Sequence, residues 1–192
     1  MDNWWRIPKT TIINQFYNHP SYINCFVNNT KKMNYQDYDH ILFSYHGLPV
    51  RHVDKAHPNS TVCADGNCEN GIIDDNVFCY KAQCYETSKL IAKELSLSPT
   101  TYSVSFQSRL NDKWIRPFTE KVMLELVKTN RKKVLVLSPA FVCDCLETII
   151  EIGERYKKDF IHYGGEEFTL VPSLNDNDDW AETLKEIIIA NG

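Results

Sequence analysis

From residue 37 onward the apolar and polar positions switch between two periods. Residues 40–45 (HILFSY) form a largely apolar run of strand length, and in residues 101–106 Tyr102, Val104 and Phe106 alternate with Ser103 and Ser105. Residues 133–137 enclose Val134-Leu135-Val136-Leu137, a pattern of a strand buried on both faces, and residues 168–171 form a fourth strand after Gly164-Gly165. Helix-like segments separate them. Residues 80–95 are amphipathic, and residues 117–129 begin with Pro117, whose missing N–H costs nothing at a first helical position. Residues 144–158 and 178–190 complete the set, the last preceded by capping candidates in 175–179. Strands separated by helices predict an α/β fold, a parallel sheet covered by helices on both faces in three layers.

The first 35 residues break this rhythm. Residues 12–17 and 22–31 look like short helices separated at Pro20, with no strand before them. The expected organisation is therefore a helical bridge over 1–35, leading from an upstream half, followed by an α/β domain over 36–192. One long irregular stretch, 49–78, interrupts that domain; a loop of this length is usually functional or disordered.

Composition narrows the function. A chain of 192 residues with 43% hydrophobic and 24% charged residues suits one globular domain. A formal charge of −4 and pI near 5.9 speak against nucleic-acid binding, since the Lys/Arg clusters are only short runs such as Lys31-Lys32 and Arg131-Lys132-Lys133. The longest nearly apolar stretch, 134–142, is far short of the roughly 20 residues that span a bilayer. Met1-Asp2-Asn3-Trp4-Trp5-Arg6 lacks the basic start and apolar run of a signal peptide. The expected location is cytoplasmic, either free or resting on a membrane surface. Seven cysteines without an export signal point to metal binding or a reduced core rather than a disulfide framework.

Three places carry candidate chemistry. Ligands of open α/β sheets bind beyond the carboxyl ends of the strands, which makes Ser44-Tyr45-His46-Gly47-Leu48-Pro49 the first. There His46 projects from a rigid strand end, suited to accept protons or ligate a metal; a structural histidine at the domain edge is the plain alternative. Second, Asp144, Glu147, Glu151 and Glu154 share a helical face at spacings i, i+3, i+7 and i+10, with Leu146, Ile149, Ile150 and Tyr156 roughly opposite. A solvated face with Glu151–Arg155 and Glu154–Lys158 pairs is the plain alternative and the better one for Glu154, whereas Asp144 and Glu147 have no cation at i+4. Third, Cys63, Cys68, Cys79 and Cys84 follow a C-x4-C-x10-C-x4-C spacing and can close around a metal or small cluster, although Cys84 alone is also explained by burial in a helix. Cys25, Cys143 and Cys145 have no such grouping.

Taken in order, SYHGLP, Ser105-Phe106-Gln107-Ser108-Arg109 with Trp114 and Pro117, the segment from Ser138-Pro139-Ala140-Phe141 through Asp144 and Glu147-Thr148, and Leu174-Asn175 after Gly164-Gly165 resemble the motifs of the ferrochelatase family, C-terminal half. The resemblance implies one of the two chelatase-like halves of that fold and insertion of ferrous iron into protoporphyrin IX to form protohaem. It implies His46 and Glu147 as catalytic residues and His46, Glu147, Glu151 and Asp144 as metal-handling ones. Tyr45, Phe106, Gln107, Ser108 and Trp114 are the implied porphyrin contacts. Arg155 stands where many members continue the acidic line. The cysteine-rich loop, 52–84, is similar to the internal segment of bacterial members that carry a [2Fe-2S] cluster, with zinc the second choice at Cys63, Cys68, Cys79 and Cys84. The implied partners are protoporphyrin IX and either a separate N-terminal half or further copies of the chain. Competing readings are a tetrapyrrole- or metal-binding fragment without turnover, and a related chelatase for another metal.

Overall fold

The computed structural model describes residues 5, 9–57, 63 and 67–191. Four strands, β1 (His40–His46), β2 (Tyr102–Gln107), β3 (Lys133–Leu137) and β4 (Glu167–Leu170), form one parallel sheet in the order β2-β1-β3-β4. The register pairs Ser44 with Ser105 and His46 with Gln107 on one side of β1, and Phe43 with Leu137 on the other. The two central strands are buried along nearly their whole length, which is why their sequences read as apolar runs.

Helices cover both faces. Ile41, Phe43 and Tyr45 pack towards α1 (Pro20–Lys31), α3 (Tyr80–Glu94) and α6 (Asp178–Asn191), in a core with Tyr22, Phe26, Ile91 and Trp180. Leu42 points the other way, into a second core with Met123 and Leu126 of α4 (Thr119–Lys128), Ile152 and Tyr156 of a π-helix (Glu147–Tyr156), and Phe160 of α5 (Lys157–His162). Each core removes several fully buried aromatic or branched side chains from water, each worth roughly 1.5–3 kcal/mol. The three-layer α/β architecture expected from the sequence is the one observed. A one-turn helix, α2 (Val50–Val53), and short 3-10 turns at Asp54–Ala56 and Asp74–Asn76 occupy the described stretches of the long connection between β1 and α3.

Four local expectations are corrected. Residues 12–17 are not helical; they run without regular structure, and Phe16 packs edge-on to Tyr22 and beside Trp180. Pro20 does not separate a pair of helices but opens α1, where its lack of an N–H is harmless. The helix expected from Pro117 starts at Thr119, and the Pro117 carbonyl accepts a 2.8 Å bond from Phe106 N. The helix expected over 144–158 leaves Asp144 outside and is a π-helix through its first ten residues. That form, with i→i+5 bonds and a wider turn, is rare and concentrates at functional sites.

Candidate active site

Leu42, Ser44 and His46 occupy alternate positions of β1 and so share the face covered by α4 and the π-helix. Beyond His46 the chain must turn at once. A Cβ on Gly47 would come within 2.7 Å of the Gln107 carbonyl oxygen and 3.1 Å of the Trp114 ring, so only glycine fits. The turn is tied to the segment after β2 by bonds from Gly47 N to Gln107 O (2.8 Å), Val50 N to Lys113 O (2.9 Å) and Ile115 N to Leu48 O (2.9 Å). From the other side the Tyr80 hydroxyl donates to the His46 carbonyl at 2.9 Å. The half-buried imidazole lies between Trp114 and Phe141, with ring centroids 6.2 and 6.3 Å away. Its Nδ1 is 2.6 Å from the Gly47 carbonyl oxygen, which can only accept; the proton is therefore on Nδ1 and Nε2 is the basic nitrogen.

Glu147 begins the π-helix. Gln107, fully buried, connects it to β1: its amide nitrogen donates to the Glu147 carbonyl (3.1 Å) while its oxygen accepts from Ser44 Oγ (2.7 Å). The Glu147 carboxyl is held below its usual range, chiefly by a hydrogen bond with the Cys145 side chain and its own backbone amide, and further by the positive charge His46 can carry. Gln107 thus ties the end of β1, which carries His46, to the start of the π-helix, which carries Glu147.

The π-helix rearranges the acidic line. Thr148, Ile152, Tyr156 and then Phe160, every fourth residue, are buried. Glu147, Glu151 and Arg155 follow at the same spacing one residue earlier, and Ser108, Arg109, Glu120, Glu151, Arg155, Tyr156, Asp159 and Tyr163 line a cleft of about 620 Å³. Leu146, Ile149 and Ile150, expected among the residues turned away from the solvated acids, are exposed. Glu151 accepts bonds from Ser108 N (3.1 Å), Ser108 Oγ, the Arg155 guanidinium (2.6 Å) and the Tyr156 hydroxyl (3.1 Å). Ser108 reaches it from a left-handed conformation, φ +58°. Asp144 is not on this line. Its carboxylate accepts from Asn175 Nδ2 (2.8 Å), Thr148 Oγ1 (3.2 Å) and Ser173 N (3.3 Å). Partial burial would raise its pKa, but these bonds outweigh it and hold the group ionised below the usual range. Asp144 is a tie between the start of the π-helix and the 173–175 turn.

Among the expected ring contacts, Tyr45, Phe106 and Gln107 are core residues, 2%, 0% and 0% exposed, with Tyr45 bordering a cavity shared with Tyr22, Tyr80 and Cys84. Tyr45 shares a 2.8 Å bond with Ser88, and Phe106 packs against Tyr45, Tyr80 and Tyr85. Ser108 lines the cleft, and the half-buried Trp114 lies beside the His46 imidazole. Phe141 and Tyr80 join the site without having been singled out; both lie within segments whose neighbours were.

The sulfur-rich group also differs from expectation. Ligand atoms of His57, Cys63, Cys68 and Cys79 all lie within 4.8 Å of one another, and all four residues are buried. No described cysteine is in a disulfide. Cys84 is outside the group, 4% exposed, in the core that holds Tyr22 and Tyr45, its thiol pushed up by burial. The cause is α3, which starts right after Cys79: five residues along an α-helix turn a side chain by about 140°, so a C-x4-C pair there diverges. The member of the group that the spacing missed, His57, stands six residues before the first loop cysteine.

A four-stranded parallel sheet flanked by helices on both faces is a chelatase-like α/β fold. A profile of the family described as ferrochelatase matches residues 1–191, and the chain belongs to the ferrochelatase family. It is 46% identical over 176 residues (90% of the chain) to a ferrochelatase of Pseudomonas putida strain W619, and 45% identical over 179 residues (92%) to one of Pseudomonas fluorescens strain Pf0-1. A ferrochelatase of Legionella pneumophila strain Lens is 43% identical over 183 residues, 95% of the chain. These alignments cover 52%, 52% and 54% of the relatives, so the chain spans about half their length.

Proposed function

We propose that this chain is the C-terminal half of a ferrochelatase and supplies the residues that take protons from protoporphyrin IX as ferrous iron enters the ring. The observation that carries this reading is the buried Gln107 side chain, which pairs in register with His46, accepts from Ser44 Oγ and donates to the Glu147 carbonyl, and so ties the strand end that carries His46 to the start of the π-helix that carries Glu147. Insertion of Fe²⁺ releases two pyrrole protons. Nε2 of His46 takes them one after the other, the ionised Glu147 stabilising the imidazolium formed by the first, which gives its proton up to solvent before the second is taken. Trp114 and Phe141 fix the imidazole plane and keep water from one side of it. Iron, the substrate, is met by His46 and Glu147. Asp144 and Glu151 already accept three and four hydrogen bonds from protein groups, which leaves them to shape the site. The exposed Leu146, Ile149 and Ile150 beside Glu147 provide an apolar surface for the macrocycle or for the other half of the enzyme.

The buried His/Cys group is a resident metal site apart from this chemistry; a [2Fe-2S] cluster and zinc are the two occupants proposed for it. No helix among the described residues is long and apolar enough to cross a membrane, and a set of reduced thiols suits the cytoplasm. The test is anaerobic iron insertion with Fe²⁺ and protoporphyrin IX, on the chain alone and co-expressed with an N-terminal ferrochelatase half. The expected result is little turnover alone, turnover in the pair, and loss of it in His46→Ala; full turnover of the His46→Ala pair overturns the assignment. Because the chain spans half its relatives, a second reading is a tetrapyrrole-binding piece without turnover. Porphyrin binding unchanged by His46→Ala, with no activity in any pairing, would favour it.

A further inference from the structure

We propose that His57, Cys63, Cys68 and Cys79 hold a single tetrahedral zinc ion, which fixes the start of α3 and, through Tyr80, the turn that carries His46. The metal assignment stands apart from the proposed enzymatic function; the effect on His46 rests on that function.

Size decides between the two occupants. Cys63 Sγ and Cys79 Sγ are 3.6 Å apart, and Cys68 Sγ and His57 Nε2 are also 3.6 Å apart. One zinc ion with bonds of about 2.3 Å to sulfur and 2.0–2.1 Å to nitrogen, at tetrahedral angles, needs edges of about 3.8 and 3.6 Å. The ligand atoms already form a shell for one ion, the largest separation being no more than 4.8 Å. A binuclear cluster splits its ligands into two pairs on two irons, which spreads the pairs by an added iron–iron distance, and it is commonly held by four thiolates. The fourth thiol required, Cys84, is buried elsewhere. The [2Fe-2S] cluster implied by the resemblance therefore does not fit this donor set, whereas three cysteines and a histidine form a standard structural zinc set.

The surroundings hold the ligands from outside, as metal sites require. Cys63 N donates to Asp54 Oδ1 at 2.8 Å. The Asn76 amide donates to the Gly71 carbonyl at 3.0 Å and lies 4.0 Å from Cys68 Sγ, while its oxygen accepts from Ile73 N at 2.8 Å. Apart from one-turn helices the described loop has no regular structure of its own, so a bound ion is its main organising contact. Cys79 is the last residue before α3, and the next residue, Tyr80, holds the His46 carbonyl. Metal shell and catalytic turn are thus separated by one peptide unit and one hydrogen bond.

The full chain, expressed with zinc and iron both supplied, is expected to contain one zinc per chain and no acid-labile sulfide. Replacement by Co²⁺ should give thiolate-to-cobalt charge transfer and tetrahedral ligand-field bands, and X-ray absorption should count three sulfurs and one nitrogen. Cys84→Ala should keep the metal, and His57→Ala should release zinc to a chelator at least ten times faster. Two irons and two sulfides per chain, no bound metal, or metal lost in Cys84→Ala but kept in His57→Ala would overturn the assignment. X-ray absorption on the unsubstituted chain decides if His57→Ala fails to fold. For the effect on His46, Tyr80→Phe should retain zinc yet give the His46 imidazole NMR signal of the zinc-free chain. An unchanged signal on both zinc removal and Tyr80→Phe would overturn that coupling while leaving the zinc site standing.

Discussion

His46 and His57 lie on the same connection out of β1, yet they are held in opposite ways. His46 ends a buried strand; its position follows from the sheet register, the Gly47 turn and Trp114, and none of these needs a ligand. His57 lies in a loop, and what surrounds its ring is three thiols. A residue fixed by the fold can be changed for its chemistry with little effect on stability, whereas one fixed by a shared ligand couples chemistry and local order. His40, at the other end of β1, makes a third case: buried, with Nε2 2.9 Å from Ser103 Oγ and no partner at Nδ1.

The largest expected effect is at the strand end. In an active assembly, His46→Ala should lower iron insertion by about 10²–10⁴-fold, the usual worth of a general base, with the melting temperature unchanged. A parallel fall in melting temperature would mean that His46 is structural after all.

The next effect belongs to His40. Burial, aided by Arg131, lowers its pKa to about 4, so the folded chain keeps the ring neutral while the unfolded chain protonates it near 6.5. Stability from this group is full above 6.5 and is lost as the pH falls towards 4. At pH 4.5 the loss should be roughly 2–3 kcal/mol. Urea unfolding at pH 7 and 4.5 checks it, and His40→Gln should remove most of that difference.

Gly47→Ala should cost about 1–3 kcal/mol, the range for overpacking, because the methyl group meets the Gln107 backbone oxygen. Thermal melts would show it, and the same variant should broaden the His46 NMR signal. The smallest effect is at the rim. Arg155 is largely exposed, and removing its ion pair with Glu151 by Arg155→Ala should change stability by less than about 1 kcal/mol. A larger loss would mean that the pair organises the π-helix.

The sheet was legible because burial on both faces leaves a plain signature in residues 40–45 and 133–137, and the two strand-end segments followed from it. The π-helix was not legible. Residues 144–158 satisfy an α-helical pattern on paper, and the buried row Thr148, Ile152, Tyr156 fits an α-helix equally well, so the wider winding is visible only in the backbone itself. The strand motifs point to the site without telling which side chains face it: Tyr45 of β1 and Phe106 of β2 turn into the core, Gln107 is buried between Ser44 and Glu147, and Ser108 just beyond β2 lines the cleft. In the cysteine loop the helix from residue 80 is plain in the sequence, but the C-x4-C spacing does not show that its winding turns Cys84 away from Cys79 or that the loop folds His57 into the group instead.

The coupling of His46 to Glu147 is tested most directly by a double-mutant cycle on the rate of protoporphyrin consumption, comparing His46→Ala, Glu147→Gln and the double variant in the same active assembly. If the two groups act as one proton-accepting pair, the double variant should be hardly slower than His46→Ala alone. Rate losses that simply multiply would contradict the pairing and separate the two residues into independent roles.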